Sequence, residues 1–163
     1  MSVVGDQAAA IRAAILTVPE VGVVLDYQPV PRGEDWASFR ELFAFTPTGG
    51  PRQVRAWTIQ YLSETRTAPT MALGAEKVRR DIRWIVRGQM SWAGTSERDW
   101  RDLLEAVARA LDEARSLGGT ALDHDPVDIS LPNNGAGIVF GDVLCHYAEI
   151  VFAAQVEETL VTS

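Results

Sequence analysis

Cys145 and His146 are the neighbouring residues most suggestive of chemistry, because a thiol activated by an imidazole is a nucleophile. Both lie in a stretch with the pattern of a strand, in which adjacent side chains point to opposite faces. The two groups therefore cannot meet directly. His146 shares a face with Leu144 and Ile150, which predicts a histidine packed in a core or an interface.

The segment DHDPVD at 123–128 offers three carboxylates and an imidazole that could surround a divalent cation. It contains neither the glycine nor the distal glutamate of an EF-hand loop, whose twelfth position is Asn134 here. We therefore expect a solvated acidic turn and no metal site.

The glycine-rich segment GAGIVFG at 135–141 lacks the spacing of a dinucleotide-binding loop and leads into a strand. The chain also contains no GxSxG, HExxH or GxxxxGK[ST] motif. Nothing in the sequence assembles a nucleophile, a base and an oxyanion donor. The sequence predicts a protein that is not an enzyme and that holds no cofactor.

The composition is that of an ordinary soluble protein with one domain, residues 1–163. The chain is 47% hydrophobic and 23% charged, and no apolar run reaches the roughly 18 residues that span a bilayer. A single cysteine excludes an internal disulfide. We expect a soluble protein, intracellular or bound to a particle, with no membrane contact.

The charge is unevenly distributed along the chain. The total of −7 argues against a general nucleic-acid binder. Residues 52–87 hold eight basic and three acidic residues, a net of +5, so the remainder carries −12. Such segregation suits head-to-tail contact between copies of one protein. The alternative is a solvated basic sheet face balanced by acidic helices.

The basic segment supplies the candidate interface residues, Arg55, Arg79, Arg83 and Arg87. Its arginines and tryptophans also suggest binding of a single-stranded nucleic acid by stacking. Tryptophans at alternate strand positions are more typical of a core, so we favour the interface interpretation.

Hydrophobic periodicity predicts an α+β fold, an antiparallel-rich sheet with two or three helices packed mainly on one face. We predict a helix at 7–17 capped by Asp6, and a short helix from 34 that runs into a strand near 43–46. A long helix at 100–117 would follow a capping box of Ser96 and Asp99. The other predicted strands lie at 21–27, 52–62, 78–92, 127–131 and 138–156, the last as one long strand or as two separated by Gly141 and Asp142.

Residues 63–76 lack a clear period and contain Pro69 and Gly74. The stretch is consistent with an extended hairpin arm and equally with a disordered loop.

The order of elements and four segments resemble the small tail-terminator and neck proteins of long-tailed bacteriophages. The segments are AIRAAIL (10–16), DWASFRELF (35–43), SERDWRDLLEAVARAL (96–111) and VLCHYAEIVFAAQVEE (143–158). They are core patterns with no catalytic signature, so the resemblance assigns no site residues.

The resemblance implies a structural virion protein of the tail or neck, assembled in the host cytoplasm. Its copies would form a homo-oligomer, a hexameric ring on the end of the tail tube, which contacts the tail tube protein and the head-side connector protein. DNA would pass through the lumen without specific binding. The alternatives are another head–tail joining (head-completion) protein, a tail tube protein, or a cellular ligand-binding α+β domain.

Overall fold

The computed structural model describes residues 2–31, 33, 35–72 and 75–160, and only the backbone within 68–76. The helices are α1 (Val3–Leu16), α2 (Trp36–Glu41) and α3 (Ser96–Glu113). The strands are β1 (Val23–Leu25), β2 (Ala44–Phe45), β3 (Gln53–Ala72), β4 (Ala75–Ser91), β5 (Asp123–His124), β6 (Asp128–Ser130), β7 (Ile138–Phe140) and β8 (Val143–Leu160).

One sheet joins the eight strands in the order β1-β3-β4-β8-β5, with β2 beside β3 and both β6 and β7 beside β8. Only the β1–β3 pair is parallel among the described strands, and the other pairs are antiparallel. The predicted α+β class is therefore confirmed. No helix in the described part of the chain has the length and apolar character needed to cross a membrane.

Two helix starts differ from the predictions. Helix α1 begins four residues early, because the Ser2 hydroxyl accepts the Gly5 N–H at 3.1 Å and leaves Asp6 inside the first turn. Helix α3 begins at Ser96, whose hydroxyl accepts the Ala93 N–H at 2.9 Å. The predicted capping box of Ser96 with Asp99 is therefore wrong. The start of α1 shifted because its cap, Ser2, lies just outside the periodic segment, whereas the N-cap residue of α3, Thr95, makes no side-chain cap hydrogen bond.

Helix α3 also ends earlier than predicted, at Glu113, and Ala114 leaves the helical conformation with ψ at 38°. Leu117 lies in a short 3-10 turn and is fully buried. Leu117 is therefore a core residue that lies beyond the helix.

Helices α1 and α3 cover one face of the sheet. The residues predicted to pack there are all buried in one cluster: Trp100, Leu103, Val107 and Leu111 of α3 with Trp84, Ile150 and Phe152 of the sheet. The packing prediction is confirmed. Trp57 stacks on Trp100 with ring centroids 5.7 Å apart, and its indole lies over Gly88, where a Cβ atom would come within 2.3 Å of the ring.

A smaller cluster lies on the opposite face. Helix α2 and strand β7 there enclose Phe39, Phe43, Val54 and Cys145. The aromatic rings meet edge-to-face, with Phe39 and Phe43 centroids 5.2 Å apart. Two of the three described helices thus share a face and the short α2 covers the other.

Of the stretch 63–76, residues 63–72 and 75–76 belong to the β3–β4 hairpin, whose strands run further than the predicted 52–62 and 78–92, and residues 73–74 lie outside the described residues. The ladder continues to Ala72 opposite Ala75, with register shifts between Tyr61 and Ser63 and between Thr67 and Thr70. The end of β8 joins this hairpin, because Glu157 to Leu160 pair with β4. We call residues 62–72, 75–79 and 157–160 the arm.

Leu111→Ala should lower the free energy of unfolding by about 2–5 kcal/mol, because Leu111 is fully buried between α3 and the sheet. Chemical denaturation of the purified chain measures this value. The matched control is Leu122→Ala, which removes the same atoms from a side chain that is 66% exposed. Equal stabilities for the two variants would refute the packing of α3 described above.

Candidate functional site

Cys145 and His146 lie on opposite faces of β8, as the strand pattern predicts. Cys145 is enclosed in the smaller cluster, and burial raises the pKa of its thiol to about 12. His146 stacks on Trp92 at a centroid distance of 4.0 Å and lies 6.0 Å from the Trp100 ring. Burial also lowers the pKa of His146. His146 therefore packs as an aromatic ring between the two tryptophans.

Ser96 is a neighbour of His146 that the sequence did not reveal, because 50 residues separate the two. The Ser96 hydroxyl lies 2.8 Å from His146 Nε2 and also accepts the Ala93 N–H. A cavity of about 280 Å³ adjoins the pair, between Trp92, Trp100 and the Asn134 turn. No carboxylate in the described ranges hydrogen-bonds the ring, so the pair has no partner equivalent to a triad aspartate.

The acidic segment 123–128 is engaged in contacts within the chain. Arg115 donates two hydrogen bonds of 2.8 Å to the Asp123 carboxylate. The His124 ring is buried between the carbonyl oxygens of Leu111 and Asp125, at 2.8 and 2.6 Å. Across the described residues, no three potential ligands cluster in a way that could hold a metal ion. The contacts make this segment part of the packing between α3 and β8.

Arg55 is set apart from the other three candidate arginines. It shares the helix-covered face with Trp57, donates to the Glu20 carbonyl at 2.9 Å, and its guanidinium lies 5.6 Å from the Phe45 ring centre. Desolvation by burial lowers its pKa. The contacts of Arg55 hold the chain segment before β1 against the sheet, and they leave little of the group for a partner.

Arg79, Arg83 and Arg87 form a row along β4 on the face opposite Trp84, since they alternate with the buried positions. Arg79 lies 3.3 Å from Asp81, and Arg87 lies 3.6 Å from Glu149 and hydrogen-bonds Gln60. Arg83 is exposed and has no carboxylate within ion-pair distance in the described part of the chain. We call these three residues the arginine row.

A polar network lies at the inner end of the arginine row. The Tyr147 hydroxyl donates to Glu149 at 2.7 Å. Desolvation, together with this carboxylate, raises the pKa of Tyr147 to about 12. Glu149 thus contacts Tyr147 and Arg87 at once, which fixes Arg87 in the sheet face and leaves Arg79 and Arg83 as the accessible cations.

Glu64 and Arg80 form a partly buried ion pair at the base of the arm. Arg80 donates to the two Glu64 oxygens at 2.8 and 2.9 Å, and Arg66 adds a third bond of 2.6 Å. These bonds, that of Arg80 above all, lower the pKa of Glu64 to about 2. Glu64 and Arg80 lie on neighbouring strands of the hairpin, and their proximity depends on the register between β3 and β4. The sequence alone does not show this register.

No family model matches the chain, and no curated protein matches it significantly.

Replacing Glu64 by Gln should flatten the acid dependence of stability. The pKa of Glu64 in the folded chain lies below the value near 4.3 of an unfolded chain, so the ionised group stabilises the fold above that value. This contribution, about 1–2 kcal/mol after solvent screening, is lost as the pH falls from about 5 towards 2.

Urea unfolding across this pH range should therefore show a shallower slope for Glu64→Gln than for the unaltered chain. The control is Glu105→Gln, at an exposed helix pair with Arg109. Parallel acid profiles for Glu64→Gln and the unaltered chain would contradict the role given to this ion pair.

Proposed function

We propose that this protein is a structural virion protein, a tail terminator. Its copies form a ring that caps the tail tube and joins it to the head-side connector. Two things support the proposal: the resemblance of four segments, within a pattern that spans roughly residues 8–158, and a subunit architecture suited to contacts between copies. The arm is the observation that carries it.

The arm extends the sheet past the region that α1 and α3 cover. The tryptophans and the helix stripe complete the core without it. Tyr61 and Leu62, where the arm leaves the core, are 42% and 45% exposed, and Leu160 is 38% exposed. A long paired extension with exposed apolar side chains gains burial when a second subunit covers it. This gives an isolated chain a physical reason to assemble.

The arginine row places positive charge on one face of the sheet. Arg83 and the half-exposed Arg79 are cations on the sheet face, whereas the chain as a whole carries −7. Opposite charges on neighbouring copies speed their encounter and set their register, and apolar contacts hold them together. The net negative charge also disfavours tight binding of DNA that passes through a lumen.

A tail tube protein and a head-completion protein would use similar surfaces, but a tube protein forms an open polymer. A terminator forms a closed ring, because a heterologous contact closes when its rotation divides a full turn. A ligand-binding domain would instead use the cavity beside Trp92 and Trp100. At about 280 Å³ this cavity falls just below the usual range of ligand pockets.

Arg83→Glu should weaken the ring and leave the subunit folded, because it reverses an exposed cation without disturbing an ion pair. We expect native mass spectrometry to show a closed oligomer, most readily six copies, for the unaltered chain and a larger monomer fraction for the variant. Raised salt should slow assembly in the same direction. Circular dichroism reports whether both chains remain folded.

Arg98→Glu is the matched control, since Arg98 is exposed on α3, away from the arginine row. An unaltered chain that stays monomeric at high concentration and with tail tubes present would defeat the terminator proposal. If Arg83→Glu and Arg98→Glu form rings equally well, the ring proposal stands but the arginine row is not part of its interface.

The arm should exchange its amide hydrogens faster in the isolated subunit than in the assembly. The amides of residues 63–72 lie in strands without a covering helix, and burial by a neighbouring copy would protect them. Hydrogen exchange with mass spectrometry on both states measures this difference, with the core residues 82–90 of β4 as the internal reference. Equal protection of 63–72 in both states would contradict the assignment of the arm to an interface.

A further inference from the structure

The outer edge of β3 is only partly paired. Strand β2 covers it at Gln53 and Val54, and β1 covers it at 56–58. From Ile59 onwards no strand in the described ranges pairs with this edge. The backbone N–H and C=O groups on that side are therefore available to another strand.

The open edge has a definite length. Pro69 supplies no N–H, and the register shifts between Thr67 and Thr70, so regular pairing ends before Pro69. Residues 59–67 remain, interrupted once by the register shift between Tyr61 and Ser63. Charged side chains commonly protect an edge, but Glu64 and Arg66 here contact each other at 2.6 Å.

A second open edge lies on the other side of the arm. Strands β5, β6 and β7 pair with β8 only between Val143 and Gln155. Residues 156–160 of β8 pair with β4 on one side and with no described strand on the other. The arm is thus a three-stranded ribbon with one open edge on β3 and one on β8.

Taking the proposed ring as its premise, we infer that the two open edges pair between neighbouring copies. Residues 59–67 of β3 in one copy lie beside residues 156–160 of β8 in the next. The partner is therefore a second copy of this chain, and the contact is strand addition. The arms of successive copies then form one continuous sheet.

The strand directions agree with this arrangement. Strands β3 and β8 are both antiparallel to β4, so they run parallel to each other within one copy. In register, Thr65 lies level with Gln155 through Asp81, so the two open stretches of one copy are offset along the strands. A neighbour related by rotation about an axis to which the strands are tilted, as in a closed barrel, keeps the strand direction and compensates this offset. The β3 edge and the neighbour's β8 edge therefore meet as a parallel pair, and every copy in a ring makes the same contact.

Covering both open edges favours this partner over self-pairing of β3. Arg66 on the β3 edge already pairs with Glu64, and Glu157 and Glu158 on the β8 edge already pair with Lys77 and Arg80, so these charges are balanced within one copy. Pairing β3 with itself would leave the β8 edge open. Pairing β3 with β8 covers both edges.

Cysteine cross-linking tests the arrangement. Thr65 and Thr159 are exposed and lie on the same face of the arm, so the double variant Thr65→Cys/Thr159→Cys places thiols on both edges. Treated with a short bis-maleimide at assembling concentration, it should convert most of its monomer band into a ladder on a denaturing gel. Cys145 is fully buried and should not react.

Each single variant, and the double variant Thr65→Cys/Thr95→Cys with its second thiol at the start of α3, should give no ladder. Intact rings that yield only monomer bands from the Thr65/Thr159 pair would overturn the strand pairing and leave the terminator proposal standing. A dimer band from Thr65→Cys alone would show self-pairing of β3 and overturn it as well. A chain that forms no ring at all would defeat both.

Discussion

Two indole N–H groups are buried between the helices and the sheet, and pairing them determines how the fold is joined. The Trp57 indole donates to the Val21 carbonyl at 3.0 Å, and the Trp84 indole donates to the Gln7 side chain at 2.9 Å. Gln7 in turn donates to the Thr120 carbonyl at 3.3 Å. A buried polar group without a partner costs about 1–3 kcal/mol, so these bonds fix α1 and two connections against the sheet. The Trp57 bond also holds Val21, and with it the start of β1, beside β3.

These bonds lie at only one end of the long strands, and the two ends of the sheet differ in how they are covered. At the core end both faces of the sheet are covered, by α1 and α3 on one side and by α2 and β7 on the other. Beyond Arg80 no described helix covers the strands, and the Glu64–Arg80 pair closes the core where the arm begins. The subunit therefore combines a complete core with a ribbon whose edges are open. A single chain gains nothing evident from such a ribbon, whereas a repeating assembly gains an interface.

The sequence predicted what local patterns can encode and missed what depends on contacts between distant segments. The stripe of α3, the faces of β4 and β8 and the opposite orientations of Cys145 and His146 follow from periods of 3.6 and 2. For residues 63–76 the sequence left a hairpin arm and a disordered loop equally open, because pairing with β8 supports strands whose own residues carry no clear alternation. The Ser96–His146 contact spans 50 residues and has no local signal.

The arginines show most clearly why a charge count does not describe a surface. The basic surplus of residues 52–87 suggests a positive face, yet carboxylates lie close to Arg52, Arg66, Arg79, Arg80 and Arg87. The carboxylates from Glu41, Glu149 and Glu158 belong to the acidic remainder of the chain. Most of the segregated charge is therefore neutralised within one subunit, and only Arg83 and part of Arg79 remain to act on a neighbour. Two exposed cations can guide encounter but contribute little to the affinity of a contact in water. The free energy that holds copies together must then come from backbone pairing and apolar burial along the arm, where Tyr61, Leu62 and the open strand edges lie.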